Sequence, residues 1–223
     1  MFGNLTTKKI ETLITILSIL FIIGIPQYGV ILAFVIVFVY LRRSKNRSEL
    51  LTSIGLKRPK NLISIVIICL ILGILIELAT EIISNPIIEK ITHSKIDLSK
   101  VDLSTFSKYL IWVLIGFVLG GFLEEVLFRG FLLTRISSFF KENKVNDILA
   151  LMATSILFGL CHYYQGWSGV ISTGLIGLLL GIIFLVFNKN LWYSILTHGF
   201  INLTAITILY FGYYQKLETL IFK

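Results

Sequence analysis

The chain is poor in the features that build ordinary soluble enzymes. Charged residues make up only 14% of its 223 residues, against about 25% in soluble domains. Such a shortage, beside 56% hydrophobic residues, excludes both a water-exposed surface of normal polarity and intrinsic disorder. Cysteine is scarce: Cys69 and Cys161 both sit in apolar runs. That excludes a disulfide framework and a zinc site of paired CxxC type. Three prolines, no Gly/Ser-rich linker, no low-complexity tract and no internal repeat leave nothing to divide the chain. Residues 1–223 are therefore read as a single integral-membrane domain. No glycine loop for phosphate and no HExxH motif occurs. The net charge of +8 is not arranged as a basic stripe with interleaved aromatics, so nucleic acid is not an expected partner.

What is present is long apolar sequence. A bilayer core needs about 20 apolar residues per helix. Apolar runs predict spans at 10–25, 28–41, 62–83, 109–133, 148–163, 170–187 and 191–210. The expectation is an all-α membrane protein, a polytopic bundle of about seven transmembrane helices (6–8) with its active site inside the membrane. Pro26-Gln27-Tyr28 separates the first two spans. Lys8-Lys9 precedes the first, but no small-residue cleavage site closes it, so it reads as a retained span rather than a signal peptide. Arg42, Arg43, Lys45, Arg47, Lys57, Arg58 and Lys60 crowd one loop, and Arg135, Lys141 and Lys144 another. The positive-inside rule makes both loops and the N-terminus cytoplasmic. The mixed-charge segment 85–108 and the C-terminal tail then fall outside.

Charges inside such spans cost about 2.5–3.5 kcal/mol each at a helix centre, so they are functional candidates. The fourth span reads GFLEEVLFRGFLL and holds Glu124, Glu125 and Arg129. Glu125 and Arg129, four apart, suit a structural ion pair. Glu124 points about 100° away and has no local partner. The fifth span ends FGLCHYY, with His162 four residues after Phe158. The seventh reads LWYSILTHGFINL, with His198 and Asn202 on one face. Each histidine alone could be an inter-helix hydrogen bonder. Together with an unpaired carboxylate they can activate water, and an amide with an imidazole can stabilise an oxyanion. This chemistry is hydrolysis of an acyl bond, a peptide above all. Glu77, Glu81, Trp112, Trp167 and Trp192 read as interfacial, and His93 as solvated. Counting along the helices puts His162 near the outer end, Glu124 past mid-membrane and His198 in the cytoplasmic third. These three can meet only if the boundaries of the fifth span are wrong.

The motifs also carry a family resemblance. Glu124-Glu125-Val-Leu-Phe-Arg129 resembles the EExxxR motif of the CAAX-protease and bacteriocin-processing (CPBP, Abi) family, which is similar to type II CAAX prenyl endopeptidases. Phe158-Gly-Leu-Cys-His162 resembles its FxxxH motif, and His198-Gly-Phe-Ile-Asn202 its HxxxN motif. The motif-bearing core covers about 110–203. The resemblance implies an intramembrane endopeptidase acting on a prenylated CaaX-type tail, a leader peptide or a membrane protein. It implies Glu124 as general base, His162 as holder of the water, His198 and Asn202 as the oxyanion site, and Glu125, Arg129 and Phe158 as residues that shape it. Zinc held by Glu124, His162 and His198 is compatible with ligand type, while a metal-free water site is preferred. A non-proteolytic immunity or scaffold protein of the same fold is the alternative, and a small ion transporter a third reading. The expected partners are a peptide or protein substrate and the lipid bilayer. The abundance of Ile, Lys and Asn suggests a prokaryotic cell membrane.

Overall fold

Apolar sequence becomes helix almost throughout. The computed structural model describes residues 5–25, 28–44, 46–59, 61–139 and 144–213. Pro26, Gln27, Lys45, Lys60, Lys141 and the tail beyond 213 lie outside the described residues. The described helices are α1 (Leu5–Gly24), α2 (Gly29–Arg43), the short α3 (Arg47–Ser53), α4 (Leu62–Thr92), α5 (Phe106–Phe139), α6 (Lys144–Cys161), α7 (Gly166–Val186) and α8 (Leu191–Tyr210). No strand occurs among the described residues.

Helix ends follow local chemistry. The side chains of Asn61, Thr105 and Asn190 accept from backbone N–H groups of Ser64, Lys108 and Trp192, relieving unpaired donors at three N-termini. His93 stops α4 in the left-handed conformation. Asn188 and Lys189 do the same after α7. Arg42 and Arg43 occupy the last turn of α2, where the helix dipole favours cations.

Five helices, α4 to α8, are long and apolar enough to cross a membrane, α7 with the turn Tyr163–Gln165 before it. The seven expected spans correspond to these five plus α1 and α2. Helix α1 carries Lys8, Lys9 and Glu11. Helix α2 has 15 residues, about 22 Å at 1.5 Å per residue, less than the hydrocarbon thickness of about 30 Å. Both pack on the bundle. Ala33, Val37 and Leu41 of α2 recur every four residues and join the common core with Ile14 and Ile22 of α1. That core centres on α5, whose residues from Val126 to Thr134 are all buried. The outer faces are the reverse of a soluble protein's. Ile63, Ile71, Leu75, Ile156 and Val186 are all more than half exposed, as suits side chains whose solvent is lipid. The chain is an integral membrane protein.

One surface unit was not expected. Past α3, Gly55 (φ +90°) turns the chain against the α7–α8 turn, where a Cβ would meet the Lys189 carbonyl at 2.5 Å. The Leu191 N–H donates to the Gly55 carbonyl (2.9 Å), Lys57 Nζ to the Asn188 carbonyl (2.7 Å), and Trp192 Nε1 to the Lys57 carbonyl (2.9 Å). Trp192 is thus a half-buried clasp rather than a purely interfacial ring.

Candidate active site

Helix α5 supplies the charged residues. It departs from ideal α geometry twice, with i→i+5 stretches at Gly116–Glu124 and Val126–Leu133. Such wide turns are common at functional sites. Glu125 is 0% exposed and Arg129 2%. Arg129 Nη1 donates to Glu125 Oε1 at 2.6 Å, and Nη2 donates to the Gly177 carbonyl of α7 at 2.7 Å. The guanidinium also lies 4.6 Å over the ring of Phe158, a favourable cation–π geometry. A charge pair this deep persists only because several partners replace water. Gly177 makes room for it, since a Cβ there would stand 3.0 Å from Phe158 and 3.3 Å from Arg129 Nη2.

His198, on α8, completes this network. Its Nδ1 lies 2.9 Å from Glu125 Oε1, and the residue is 5% exposed. A carboxylate already paired with arginine accepts, so Nδ1 carries the hydrogen and Nε2 is the open edge of the ring. His162 follows the same logic. Its Nδ1 is 2.9 Å from the Phe158 carbonyl, and a carbonyl only accepts, which again leaves Nε2 open. Both imidazoles flank the Phe158 ring, at centroid distances of 5.0 Å for His162 and 5.8 Å for His198. Asn202, one turn beyond His198, donates through Nδ2 to the Gly116 carbonyl at 2.9 Å, keeping its second N–H in reserve. The Nδ2 of Asn202 and the Nε2 of His198 both lie beside Gly120, 2.4 Å and 3.5 Å from where a Cβ on it would stand.

Glu124 is half-buried and makes no hydrogen bond to another described residue. Its charge acts on Arg129, Cys161 and Tyr164, which places it beside the α6–α7 turn that carries His162. The levels that conflicted in the sequence count are reconciled mainly by α5. This helix continues through the six residues Thr134–Phe139, four of them polar or basic, so Glu124 stands further from its C-terminal end than hydropathy suggested. Helix α6 also starts at Lys144 and stops at Cys161. Antiparallel packing then sets Glu124 near the level of the turn after α6.

Some expected groupings do not form. Among the described residues no three His, Cys, Asp or Glu side chains are placed to hold a metal ion. Glu124, His162 and His198 are therefore not gathered into a zinc ligand set, and no step below is routed through a metal. Glu77 and Glu81 are not interfacial, because α4 runs on to Thr92. Glu77 is 3% exposed and stands one turn from Glu81 on the same face of α4. Asn85 Nδ2 donates to Glu81 Oε1 (3.1 Å), and Ser172 Oγ of α7 donates to Asn85 Oδ1 (2.6 Å). The spacing Glu77, Glu81, Asn85 was the available signal, since four-residue steps stay on one helix face.

The fold and site together define a helical membrane protein with a buried carboxylate–guanidinium–imidazole network and a second carboxylate beside it. Residues 106–204 match the family model described as "Type II CAAX prenyl endopeptidase Rce1-like", in agreement with the CPBP resemblance of the motifs within that segment. Comparison with curated proteins and with solved structures gave no match.

Proposed function

We propose that the chain is an intramembrane endopeptidase that hydrolyses a peptide bond with a water activated by Glu124. The observation that carries this reading is the convergence of His198 Nε2 and Asn202 Nδ2 at Gly120, within the segment that matches an endopeptidase family. Glu124 takes a proton from water as the water oxygen attacks the scissile carbonyl carbon. His162 Nε2 accepts the water's other hydrogen and fixes its direction. The carbonyl oxygen becomes an oxyanion in the site formed by the spare N–H of Asn202 and the His198 ring. Glu125 holds the His198 ring in place, and Arg129 holds Glu125. Collapse of the intermediate breaks the C–N bond, and Glu124 passes its proton to the leaving nitrogen. The products are one carboxylate and one amine, and no covalent enzyme intermediate forms.

The family description favours a prenylated CaaX-type tail as substrate; a leader peptide or another membrane protein offers the same bond. The basic loops put the N-terminus in the cytoplasm, and composition suits a prokaryotic membrane. The test compares protein termini in membranes and medium of cells carrying wild type or Glu124→Ala at matched expression. Termini that vanish in the variant support the protease and name its substrate. Identical termini, with the deletion phenotype still rescued, would instead favour a scaffold or immunity protein.

A further inference from the structure

Tyr164 belongs to no motif, yet it stands against the site. It is the second residue after His162, in the turn Tyr163–Gln165 that joins α6 to α7. Several contacts fix this turn. The Gln165 N–H donates to the His162 carbonyl at 2.8 Å, and the Asp97 N–H, from the segment between α4 and α5, donates to the Gln165 carbonyl at 3.0 Å. Gly169 makes room for the Gln165 side chain, since a Cβ there would run into it. Within this frame the half-buried Tyr164 ring lies 5.8 Å from the His162 ring, centre to centre. The Lys100 ammonium lies over the same ring at 5.1 Å, a cation–π distance. Gln165 Nε2 donates to the phenol oxygen at 3.3 Å. That oxygen is thus already accepting. Its own hydrogen, which a phenol keeps at neutral pH, has no acceptor among the described residues. Glu124 is the complementary case. It is a half-buried carboxylate that accepts from no described residue, and its charge reaches Tyr164. A donor without an acceptor thus stands beside an acceptor without a donor.

We propose that Tyr164 is a positioning residue for the general base: with substrate bound, its O–H donates to the Glu124 carboxylate and keeps it turned toward the water. The inference rests on the proposed endopeptidase reading and adds to it a residue outside the three motifs. Hydrogen bonds of this kind are often open in the empty enzyme and tighten in the substrate complex. The task is otherwise unfilled, because Arg129 donates to Glu125 and to the Gly177 carbonyl. A hydrogen bond to the charged form of a carboxyl favours that form, so the phenol helps Glu124 to stay a base. A carboxylate held in one direction also meets its water in one orientation. The other titratable or charged groups around Glu124 are Glu125 and Arg129 on its own helix, Cys161 and His162 at the end of α6, and His198 of α8. Lys100 adds a cation over the phenol ring.

The experiment measures kcat, KM and the pH dependence of kcat for purified protein in liposomes on a farnesylated CaaX peptide. The proteins are wild type, Tyr164→Phe, Glu124→Gln and the double variant. Tyr193→Phe is the control, a phenol whose ring stacks on Phe187 at 3.8 Å, and it should cleave like wild type. Tyr164→Phe keeps the ring against His162 and Lys100, so its thermal midpoint should hold and KM should change by less than about threefold. A hydrogen bond to a charged group is worth about 10–100-fold, the fall in kcat expected at pH 7. The acidic limb of the kcat profile should move to higher pH by at least about half a pH unit, because the carboxylate loses a donor that favours its charged form. A packing role would leave that limb in place. Incorporating 3-fluorotyrosine in place of Tyr164 gives a stronger donor of nearly the same shape and should move the limb to lower pH. It decides the matter if Tyr164→Phe does not fold. In the Glu124→Gln background the residual rate should be indifferent to Tyr164→Phe, as expected of two groups acting through one bond. Wild-type kcat or an unmoved limb in Tyr164→Phe, a limb that 3-fluorotyrosine leaves in place or raises, or a further loss in the double variant overturns the inference. If Glu124→Gln loses cleavage while Tyr164→Phe keeps the wild-type rate and limb, only this inference fails. If Glu124→Gln cleaves like wild type, the endopeptidase reading fails and takes this one with it.

Discussion

Arg129 and Glu125 bear the largest single energetic stake in the bundle. Each is buried: Arg129 donates to Glu125 and to the Gly177 carbonyl, and Glu125 Oε1 also takes His198, while Glu125 Oε2 has no hydrogen-bond partner among the described residues. Removing one partner of a buried pair strands the other charge and costs about 3–5 kcal/mol. Arg129→Ala should therefore lower the unfolding midpoint in detergent sharply, whereas Glu124→Gln should leave it nearly unchanged. A common large drop for both would contradict the division between holding and reacting carboxylates. The Glu125–Arg129 pair was legible because four-residue spacing on a helix is a local property. The His198–Glu125 bond was not, because it joins residues far apart in sequence. Outside the membrane, Lys108 and the Ser104 N–H hold the Asp102 carboxyl down to about 2. A depressed carboxyl stabilises the folded state above its unfolded value of about 3.9. That contribution is lost as pH falls from there through about 2. The segment preceding α5 should then loosen first in acid, visible as faster amide exchange at Ser104 between pH 4 and 2.

Helix α5 is the element on which the account turns. Its apolar middle was readable as a span, whereas the mixed stretch from Thr134 left two readings open in the sequence, a continued helix or an interfacial segment, and the helix continues to Phe139. Hydropathy marks where lipid ends, whereas a helix continues as long as its backbone bonds and neighbours allow. The same reason hid the length of α4 and with it the burial of Glu77. Amphipathic α3 and its clasp on the α7–α8 turn escaped notice because Gly55 and Lys57 find their partners more than a hundred positions away. Helices α6 and α7 cross at Gly159, where a Cβ would stand 2.4 Å from the Val170 carbonyl. Backbone cannot give way as a side chain can, so Gly159→Val should cost at least the 1–3 kcal/mol typical of overpacking. It should also move the α6–α7 turn and His162 with it. Unchanged thermal stability of Gly159→Val in detergent would show that this crossing is looser than described.

At the scale of the molecule, a polar knot ties the N-terminal hairpin to the motif-bearing half. Glu11 Oε1 of α1 accepts from Tyr40 of α2 at 2.8 Å and pairs with Arg135 of α5 at 3.0 Å. Glu11→Ala should weaken this attachment by about 1–3 kcal/mol, the cost of hydrogen bonds to a charged group. Limited proteolysis would then release the hairpin before the bundle of α4 to α8. The overall architecture was legible from composition and hydropathy, since a chain this apolar with about seven runs has few alternatives to a helical bundle. The central claim remains that a single carboxylate, Glu124, drives hydrolysis within that bundle. Its most direct test is cleavage of a farnesylated CaaX peptide by purified wild type and Glu124→Gln in liposomes, read by mass spectrometry of both product termini. The account predicts a loss of at least about 10²-fold in kcat at unchanged thermal stability, with one new carboxylate and one new amine from the wild type. Equal cleavage by the two proteins would contradict it.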